Sequence, residues 1–187
     1  MNAATGSRDM HEVLRTARLR LRLADPGDAA FYLELVNDPD FIAHIGDRGL
    51  RTLDAAVRAL EEGPVAMQRS RGHSLYVVEL LDGGTPIGLS GLVKRDGLDE
   101  VDIGYAFLAR HRARGYAFEA AQAVARHART LGIARLAAIT GPGNAASIGL
   151  LLKLGMRFDR YAVLNPGQPG VNVYLMESPA PAGHARV

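Results

Sequence analysis

The residues with the clearest chemical potential form a basic segment, residues 110–117, which reads RHRARGYA. It lies between a strand predicted to end at Leu108 and a helix predicted to begin near Tyr116. The unpaired N–H groups and positive dipole end of a helix N-terminus attract anions, and Gly115 lets a ligand approach the backbone. Residues 108–135 hold six Arg and one acid, a local charge of +5. This pattern favours a phosphate-binding site, and the alternative is a helix-capping turn with solvated Arg side chains.

Composition excludes several other chemistries. The 187 residues contain no Cys, which rules out disulfides, Cys-ligated metal clusters and thiol catalysis. The six His residues do not show metal-ligand spacing, so no metal is expected. Lys and Arg number 22 against 20 acids, a net charge of +2, which argues against a nucleic-acid-binding protein. We see no signal peptide and no apolar stretch of the roughly 20 residues that a membrane span needs, so a cytoplasmic location is expected.

The elements that must position the basic segment follow from hydrophobic periodicity and turn residues. The predicted strands are 18–23, 73–81, 85–95, 100–107, 136–140, 157–164 and 171–178. The predicted helices are 26–37, 52–69 with an interruption near Gly63-Pro64, 116–131 and a helix from Asn144 to Gly155. This order predicts one α/β domain, residues 14–178, with a mixed sheet covered by helices. Residues 1–13 and 179–187 are predicted to be flexible tails.

Four short motifs follow one another along this framework. They are Asp102-Ile103-Gly104-Tyr105, Arg112-x-x-Gly115-x-Ala117, Asn144-x-x-Ser147 and Leu152-Lys153-Leu154-Gly155-Met156. In order and spacing they resemble the strand, the Q/R-x-x-G-x-G/A loop, the N-x-x-S helix start and the K-L-G-F element of the GCN5-related N-acetyltransferase (GNAT) superfamily. The opening residues 16–22 and Asn37-Asp38-Pro39 are similar to the branch that acetylates ribosomal-protein N-termini. The resemblance covers about residues 16–177 and implies a mostly antiparallel sheet of about seven strands with helices on both faces.

The resemblance implies acetyl-CoA as co-substrate. It implies that the pyrophosphate lies on the loop, that the pantetheine arm pairs with the end of the strand before it, and that the next helix touches the arm. The residues concerned are Arg112, Ala113, Arg114, Gly115, Tyr116 and Ala117 in the loop, Ala106, Phe107 and Leu108 in the strand, and Asn144 in the helix.

The resemblance also implies direct acetyl transfer to an amine, which needs a base and a proton donor for the leaving thiolate. Asp102 stands where the family has a strand Glu and is the candidate base, with Glu100 as the substitute. The family's usual Tyr acid is replaced by Leu151. Ser147 is therefore the candidate proton donor, and Tyr161 is a weaker one. A backbone N–H within residues 105–108 could stabilise the oxyanion.

The acceptor is expected to contact the first two helices and the last strands. Residues 25–62 hold nine acids and three Arg, a net charge of −6, which suits a basic peptide N-terminus or a cationic amine, although a solvated charged face explains it equally. Residues predicted near the acceptor are Phe31, Tyr32, Phe41, His44, Ser90 and Tyr174. Alternatives are a small-molecule amine acetyltransferase and a CoA-binding module with degraded catalysis. A Rossmann domain fits poorly, a P-loop kinase is excluded, and both a monomer and a homodimer remain open.

Overall fold

The structure is a computed structural model and describes residues 12–177. Its eight strands are β1 Glu12–Arg15, β2 Leu19–Arg22, β3 Leu75–Leu80, β4 Pro86–Val93, β5 Val101–Phe107, β6 Arg135–Thr140, β7 Arg157–Ala162 and β8 Val171–Glu177. The seven predicted strands are all present. β1 was not predicted, and it begins inside the predicted N-terminal tail because residues 12–15 pair antiparallel with β2. The rest of both predicted tails, residues 1–11 and 179–187, lies outside the described residues.

Residues 12–177 form six α-helices, and a 3₁₀ turn, Pro26–Asp28, capped by Asp25, occupies the start of the first predicted helix. The helices are α1 Ala29–Val36, α2 Pro39–His44, α3 Leu53–Leu60, α4 Ala66–Arg71, α5 Tyr116–Thr130 and α6 Ala145–Leu154. Thr52 caps α3 and Asn144 caps α6 through their side-chain oxygens. The predicted interruption near Gly63-Pro64 is a π-helical turn, Glu61–Val65, where Pro64 has no N–H to donate.

Helix α2 was not predicted, because Asp38-Pro39-Asp40 was interpreted only as a helix breaker. In the structure Asp38 accepts hydrogen bonds from the N–H groups of Asp40 and Phe41, and Pro39 occupies the first helical position. The same three residues therefore end α1 and begin α2, since Pro at the first position of a helix loses no hydrogen bond. This second helix places Phe41 and His44 beside the functional cleft.

The strands form one sheet in the order β1-β2-β3-β4-β5-β6-β8-β7. Every neighbouring pair is antiparallel except β5 and β6. The prediction of a mixed, mostly antiparallel sheet is confirmed, with eight strands instead of about seven. The single parallel pair is the consequence of the α5 crossover, because consecutive parallel strands need a long connection between them.

Apolar side chains cover both faces of the sheet, as predicted. One face packs against α5 and α6 through a core that includes Leu21, Ile103, Val124 and Leu151. The other face packs against α1 and α3 through a second core that includes Leu35, Leu60 and Leu89. We call these the α5 face and the α1 face. Along β5 the side chains alternate, so Val101, Ile103, Tyr105 and Phe107 point to the α5 face, and Asp102 and Ala106 point to the α1 face.

A buried charge network joins β2, β3 and the start of α1. The Nε atom of Arg22 donates to Glu79 at 2.7 Å, and its Nη2 atom donates to Asp28 at 2.6 Å. Arg20 donates to the same Glu79 carboxylate. Burial disfavours the charged form of Arg22, but its hydrogen bonds to the Asp28 and Glu79 carboxylates outweigh this effect and raise the pKa of Arg22. Each buried charge in this network therefore depends on its partners for compensation.

We expect Glu79→Ala to lower the free energy of unfolding by about 3 kcal/mol, because it removes a carboxylate that compensates the buried Arg22 guanidinium. Urea denaturation measures this change. The control is Glu12→Ala, which breaks an exposed pair with Arg15 on neighbouring strand β1 and should cost less than about 1 kcal/mol. Equal losses in the two variants would contradict the interpretation of a buried network.

Candidate active site

The parallel strands β5 and β6 separate soon after they meet. Their register contains only Val101 opposite Leu136 and Asp102 opposite Ala137. Beyond these pairs β5 stays with β4 as far as Phe107, and β6 stays with β8 as far as Thr140. The two strands therefore splay apart and open a cleft of about 890 Å³ in the middle of the sheet. The backbone edges that face each other across the splay are available to a ligand that runs between them.

The predicted anion site forms one wall of this cleft. After β5 a 3₁₀ turn, Ala109–His111, leads to Ala113, which has a φ of 58° and is the one non-glycine residue with positive φ among residues 12–177. Gly115 has a φ of 81° and precedes α5, whose N-terminus has no side-chain cap. The first N–H groups of α5, from Tyr116 onward, therefore have no partner within the helix. This is the arrangement that binds phosphate groups at helix N-termini.

Two of the three loop arginines are not free, as the sequence suggests, but paired with acids. Arg110 is paired with Glu34 of α1. Arg112 is paired with Asp38 at 2.7 Å and with Asp40, both at the start of α2. Opposite charges far apart in the sequence thus neutralise each other across the cleft rim, so the predicted +5 and −6 patches are in contact.

Arg112, which was expected to contact the cofactor, also makes hydrogen bonds to the backbone of its own loop. Its Nε atom donates to the carbonyl of Phe107 at 2.8 Å, and its backbone N–H donates to the carbonyl of Ala109 at 3.2 Å. Arg114 is exposed, and its carbonyl accepts a hydrogen bond from Arg18. The Arg112 side chain therefore ties the loop to β5 and α2, and the groups that the loop leaves open to the predicted anion site are the backbone N–H groups after Arg112.

Leu108 was predicted to contact the cofactor arm, and the structure places it elsewhere. Its side chain is in the core of the α1 face, its N–H donates to Ile87, and its carbonyl accepts from His111. Leu108 does not line the cleft, because the chain has turned away from it at this residue. Ala106 and Phe107, the other two predicted arm residues, line the cleft, as do Ala113, Gly115, Tyr116, Ala117 and Asn144.

Asp102 lies where the two strands separate, on the α1 face. Its side chain is 2% exposed, which excludes a solvated strand acid. Oδ2 accepts from the Nε atom of Arg95 at 2.5 Å, and Oδ1 has no hydrogen-bond partner within residues 12–177. Burial raises the pKa of Asp102 above its ordinary value, although the Arg95 cation counteracts it, as does the backbone N–H of Ile139, which faces the carboxylate without reaching good hydrogen-bond geometry. A buried carboxylate with a raised pKa is a stronger base than an exposed one.

Arg95 was not identified from the sequence. The register of β4 and β5 pairs Val93 with Asp102, so the residues just after Val93 return past the carboxylate. The hairpin turn at Asp96-Gly97 was the available signal, because it fixes which residues stand opposite one another. Glu100, the substitute base, does not line the cleft; its carboxylate lies 3.6 Å from Arg135.

A second pair of polar groups lies on the α5 face. The hydroxyl groups of Tyr105 and Ser147 are 2.9 Å apart, and both residues line the cleft. Burial raises the pKa of Tyr105 to about 12, so its hydroxyl is protonated at neutral pH. Ser147 is placed by Asn144, whose side-chain oxygen accepts the Ser147 N–H. The sequence pointed to Ser147 and to the Tyr105 backbone, and it did not show that the Tyr105 hydroxyl meets Ser147.

The other predicted proton donor and the loop histidine have different surroundings. Tyr161 is exposed on β7 and does not line the cleft. His111 lines the cleft, and partial burial together with the nearby Arg110 and Arg114 cations lowers its pKa. His111 is therefore neutral near pH 7 and adds no charge to the anion site.

Part of the predicted acceptor region lines the α1 side of the cleft. Tyr32, Phe41 and His44 are cleft residues, whereas Phe31, Ser90 and Tyr174 are not. Ser90 and Tyr174 are buried in the sheet. Residues 12–177 contain no group of His, Asp and Glu side chains that could hold a metal ion, and none of their helices is long and apolar enough to cross a bilayer.

Comparison with known proteins agrees with the geometry of the cleft. Residues 18–157 match the family described as the acetyltransferase (GNAT) domain. The uncharacterized protein YkkB of Bacillus subtilis is 33% identical over 153 residues, which cover 79% of this chain and 86% of YkkB.

Solved structures share the same fold. An acetyltransferase from Agrobacterium tumefaciens is 27% identical with a TM-score of 0.74, and the match covers 87% of this chain and 92% of that one. RimL, a ribosomal L7/L12 α-N-protein acetyltransferase solved with coenzyme A, is 16% identical with a TM-score of 0.75, and the match covers 89% and 97%. The splayed sheet, the uncapped helix start and these matches lead to one conclusion: the chain belongs to the GNAT acetyltransferase family.

Proposed function

We propose that this protein transfers an acetyl group from acetyl-CoA directly to a primary amine, and that the amine is a peptide N-terminus. The observation that carries the proposal is the splay of β5 and β6, with an uncapped helix N-terminus at one end and a buried carboxylate at the other. The loop at Gly115 accommodates the pyrophosphate, and the open edge of β5 at Ala106 and Phe107 accommodates the pantetheine arm. The fold shared with RimL, whose acceptor is a protein N-terminus, supports the peptide acceptor.

The Asp102–Arg95 pair and the Tyr105–Ser147 pair suit the two proton transfers of the reaction, one from the amine and one to the thiolate. The amine nitrogen attacks the thioester carbon, the C–N bond forms, and the C–S bond breaks. Asp102 on the α1 face takes the amine proton through a bridging water, because its side chain is almost fully buried. Tyr105 and Ser147 on the α5 face return a proton to the departing thiolate. The absence of Cys is consistent with direct transfer, since no thiol is available for an acetyl-enzyme.

The Tyr105–Ser147 pair takes the place of the Tyr that the family motif has and this chain lacks. Leu151 stands at that position and is fully buried, so it offers no proton. The Tyr105 hydroxyl supplies a protonated oxygen from a neighbouring strand instead. This compensation favours an active enzyme over a CoA-binding module with degraded catalysis.

The test is to incubate the protein with acetyl-CoA and a panel of peptides and small amines, and to follow free CoA thiol. We expect turnover with peptides that have a free amino terminus and none with the same peptides N-acetylated. Turnover restricted to small amines would replace the peptide acceptor with a small-molecule one. CoA binding without turnover on any amine would favour the degraded module, and no CoA binding would overturn the proposal.

We expect Tyr105→Phe to lower kcat about tenfold and to leave the KM for acetyl-CoA within about twofold of the wild type, because it removes a proton donor without a large change in packing. Thiol release under saturating acetyl-CoA measures the effect. Tyr161→Phe is the matched control and should leave kcat unchanged, since Tyr161 is exposed outside the cleft. Equal kcat values for Tyr105→Phe and the wild type would remove Tyr105 from the mechanism.

A further inference from the structure

The charges that line the cleft do not cancel. Within residues 12–177 the lining carboxylates are Asp40 and Asp102. Asp40 is paired with Arg112, and Asp102 is paired with Arg95. The cleft therefore offers a cationic ligand no carboxylate without an arginine partner, and the acidic region predicted from the sequence is already neutralised where it meets the cleft.

Two lining cations remain after this pairing, one on each side. Lys153 of α6 lies over the ring of Phe118 of α5, at 4.4 Å from its centroid, on the side of the phosphate loop. Arg48 follows α2 on the opposite side, is exposed, and forms no ion pair with a carboxylate of the described residues. Lys153 lies beside the part of the cleft that would hold the anionic cofactor. Among residues 12–177, Arg48 is therefore the cation without a carboxylate partner on the α1 side of the cleft, where the acceptor would bind.

The surroundings of Arg48 suit a small anionic group. Tyr32 lines the cleft close enough to Arg48 that the cation counteracts the burial that raises the pKa of the Tyr32 hydroxyl. Arg95 also lines the cleft; it uses Nε for Asp102, and its side chain is 35% exposed. Guanidinium groups bind carboxylates with paired, charge-assisted hydrogen bonds.

We propose that the acceptor amine of this enzyme carries a carboxylate, and that Arg48 is the residue that recognises it. This inference rests on the proposed acetyl transfer and narrows its acceptor. An amine attached to a carboxylate group would place its negative charge against Arg48 while its nitrogen reaches the thioester near Asp102. On a peptide acceptor the carboxylate belongs to an acidic side chain near the N-terminus. A free amino acid would supply its own carboxylate and would replace the peptide as acceptor.

The experiment compares acceptors that differ in charge, with kcat/KM expressed per neutral amine because the amines of serine and serinamide differ in basicity. One series is the tripeptide amides Ser-Asp-Ala, Ser-Asn-Ala and Ser-Lys-Ala, and the other is serine against serinamide. We expect kcat/KM to be about tenfold higher for the acidic member than for its amide in one series, and that series identifies the source of the carboxylate. A preference for the Lys peptide, or equal rates within both series, would overturn the inference.

Variants of Arg48 test its role separately. Arg48→Gln should reduce the preference for the acidic acceptor to less than about twofold, and Arg48→Glu should shift it toward the Lys peptide. The control Arg58→Gln removes an exposed charge from α3, away from the cleft, and should keep the wild-type preference. An unchanged preference in Arg48→Gln would contradict the assignment. Failure of every acceptor would overturn the proposed transfer as well, whereas turnover without charge preference would overturn only this inference.

Discussion

Replacement of Gly115 by Val is expected to weaken CoA binding at least about 100-fold. Gly115 has a φ of 81°, a conformation that a β-branched residue adopts only with strain. Its added Cβ would also lie 3.3 Å from the Nη2 atom of Arg18, whose Nη1 atom donates to the carbonyl of Arg114. The substitution therefore disturbs the loop and covers the N–H groups that would bind the pyrophosphate. Isothermal titration with CoA measures the affinity.

The control for Gly115→Val separates backbone strain from ligand contact. Gly72 ends α4 with a φ of 74°, and a Cβ there would meet no atom within 4 Å. Gly72→Val should have a similar cost in thermal stability and keep the wild-type affinity for CoA. If Gly115→Val does not fold, Gly115→Asn provides the test, because Asn tolerates positive φ and still adds a side chain over the helix start. Wild-type affinity in Gly115→Asn would contradict the phosphate-loop assignment.

Asp102→Asn is expected to lower kcat by about 10²- to 10³-fold and to remove the acidic limb of the pH–rate profile. A base works in its deprotonated form, so the rate should rise as the pH passes through the pKa of Asp102. Burial raises this pKa, and the limb should therefore lie above the range of an exposed Asp. Steady-state rates measured from about pH 4 to about pH 9 give the profile. Outside roughly this range the protein is expected to lose stability.

Two further variants test whether the acidic limb belongs to Asp102. Arg95→Gln removes the cation that lowers the pKa of Asp102, so the acidic limb should move to higher pH while the limb itself persists. Glu100→Gln changes the substitute base, which does not line the cleft, and should leave rate and profile unchanged. A normal profile in Asp102→Asn, or loss of the limb in Glu100→Gln, would transfer the role of base to another group.

Local signals in the sequence were sufficient for most of the fold. The alternation of Leu19 and Leu21 with Arg, the caps Thr52 and Asn144, and the turn at Asp96-Gly97 each depend on neighbours within a few residues. The exceptions are β1 and α2. Residues 12–15 form a strand because β2 pairs with them, which no local signal indicates. The cap of α2 by Asp38 is local, but the same residues also end α1 and were interpreted only as a helix breaker.

The residues of the cleft can be separated in the same way, into those that local sequence predicts and those that only folding brings together. The sequence alone pointed to an anion-binding loop at Gly115, because a basic loop before a helix is a local feature. The resemblance to the family motifs added Asp102 and Ser147. Folding joined Arg110 and Arg112 to acids of α1 and α2, brought Arg95 to Asp102 and Tyr105 to Ser147, and turned Leu108 into the core. These contacts connect different elements, so the energies that select them depend on distances that exist only after the sheet has assembled.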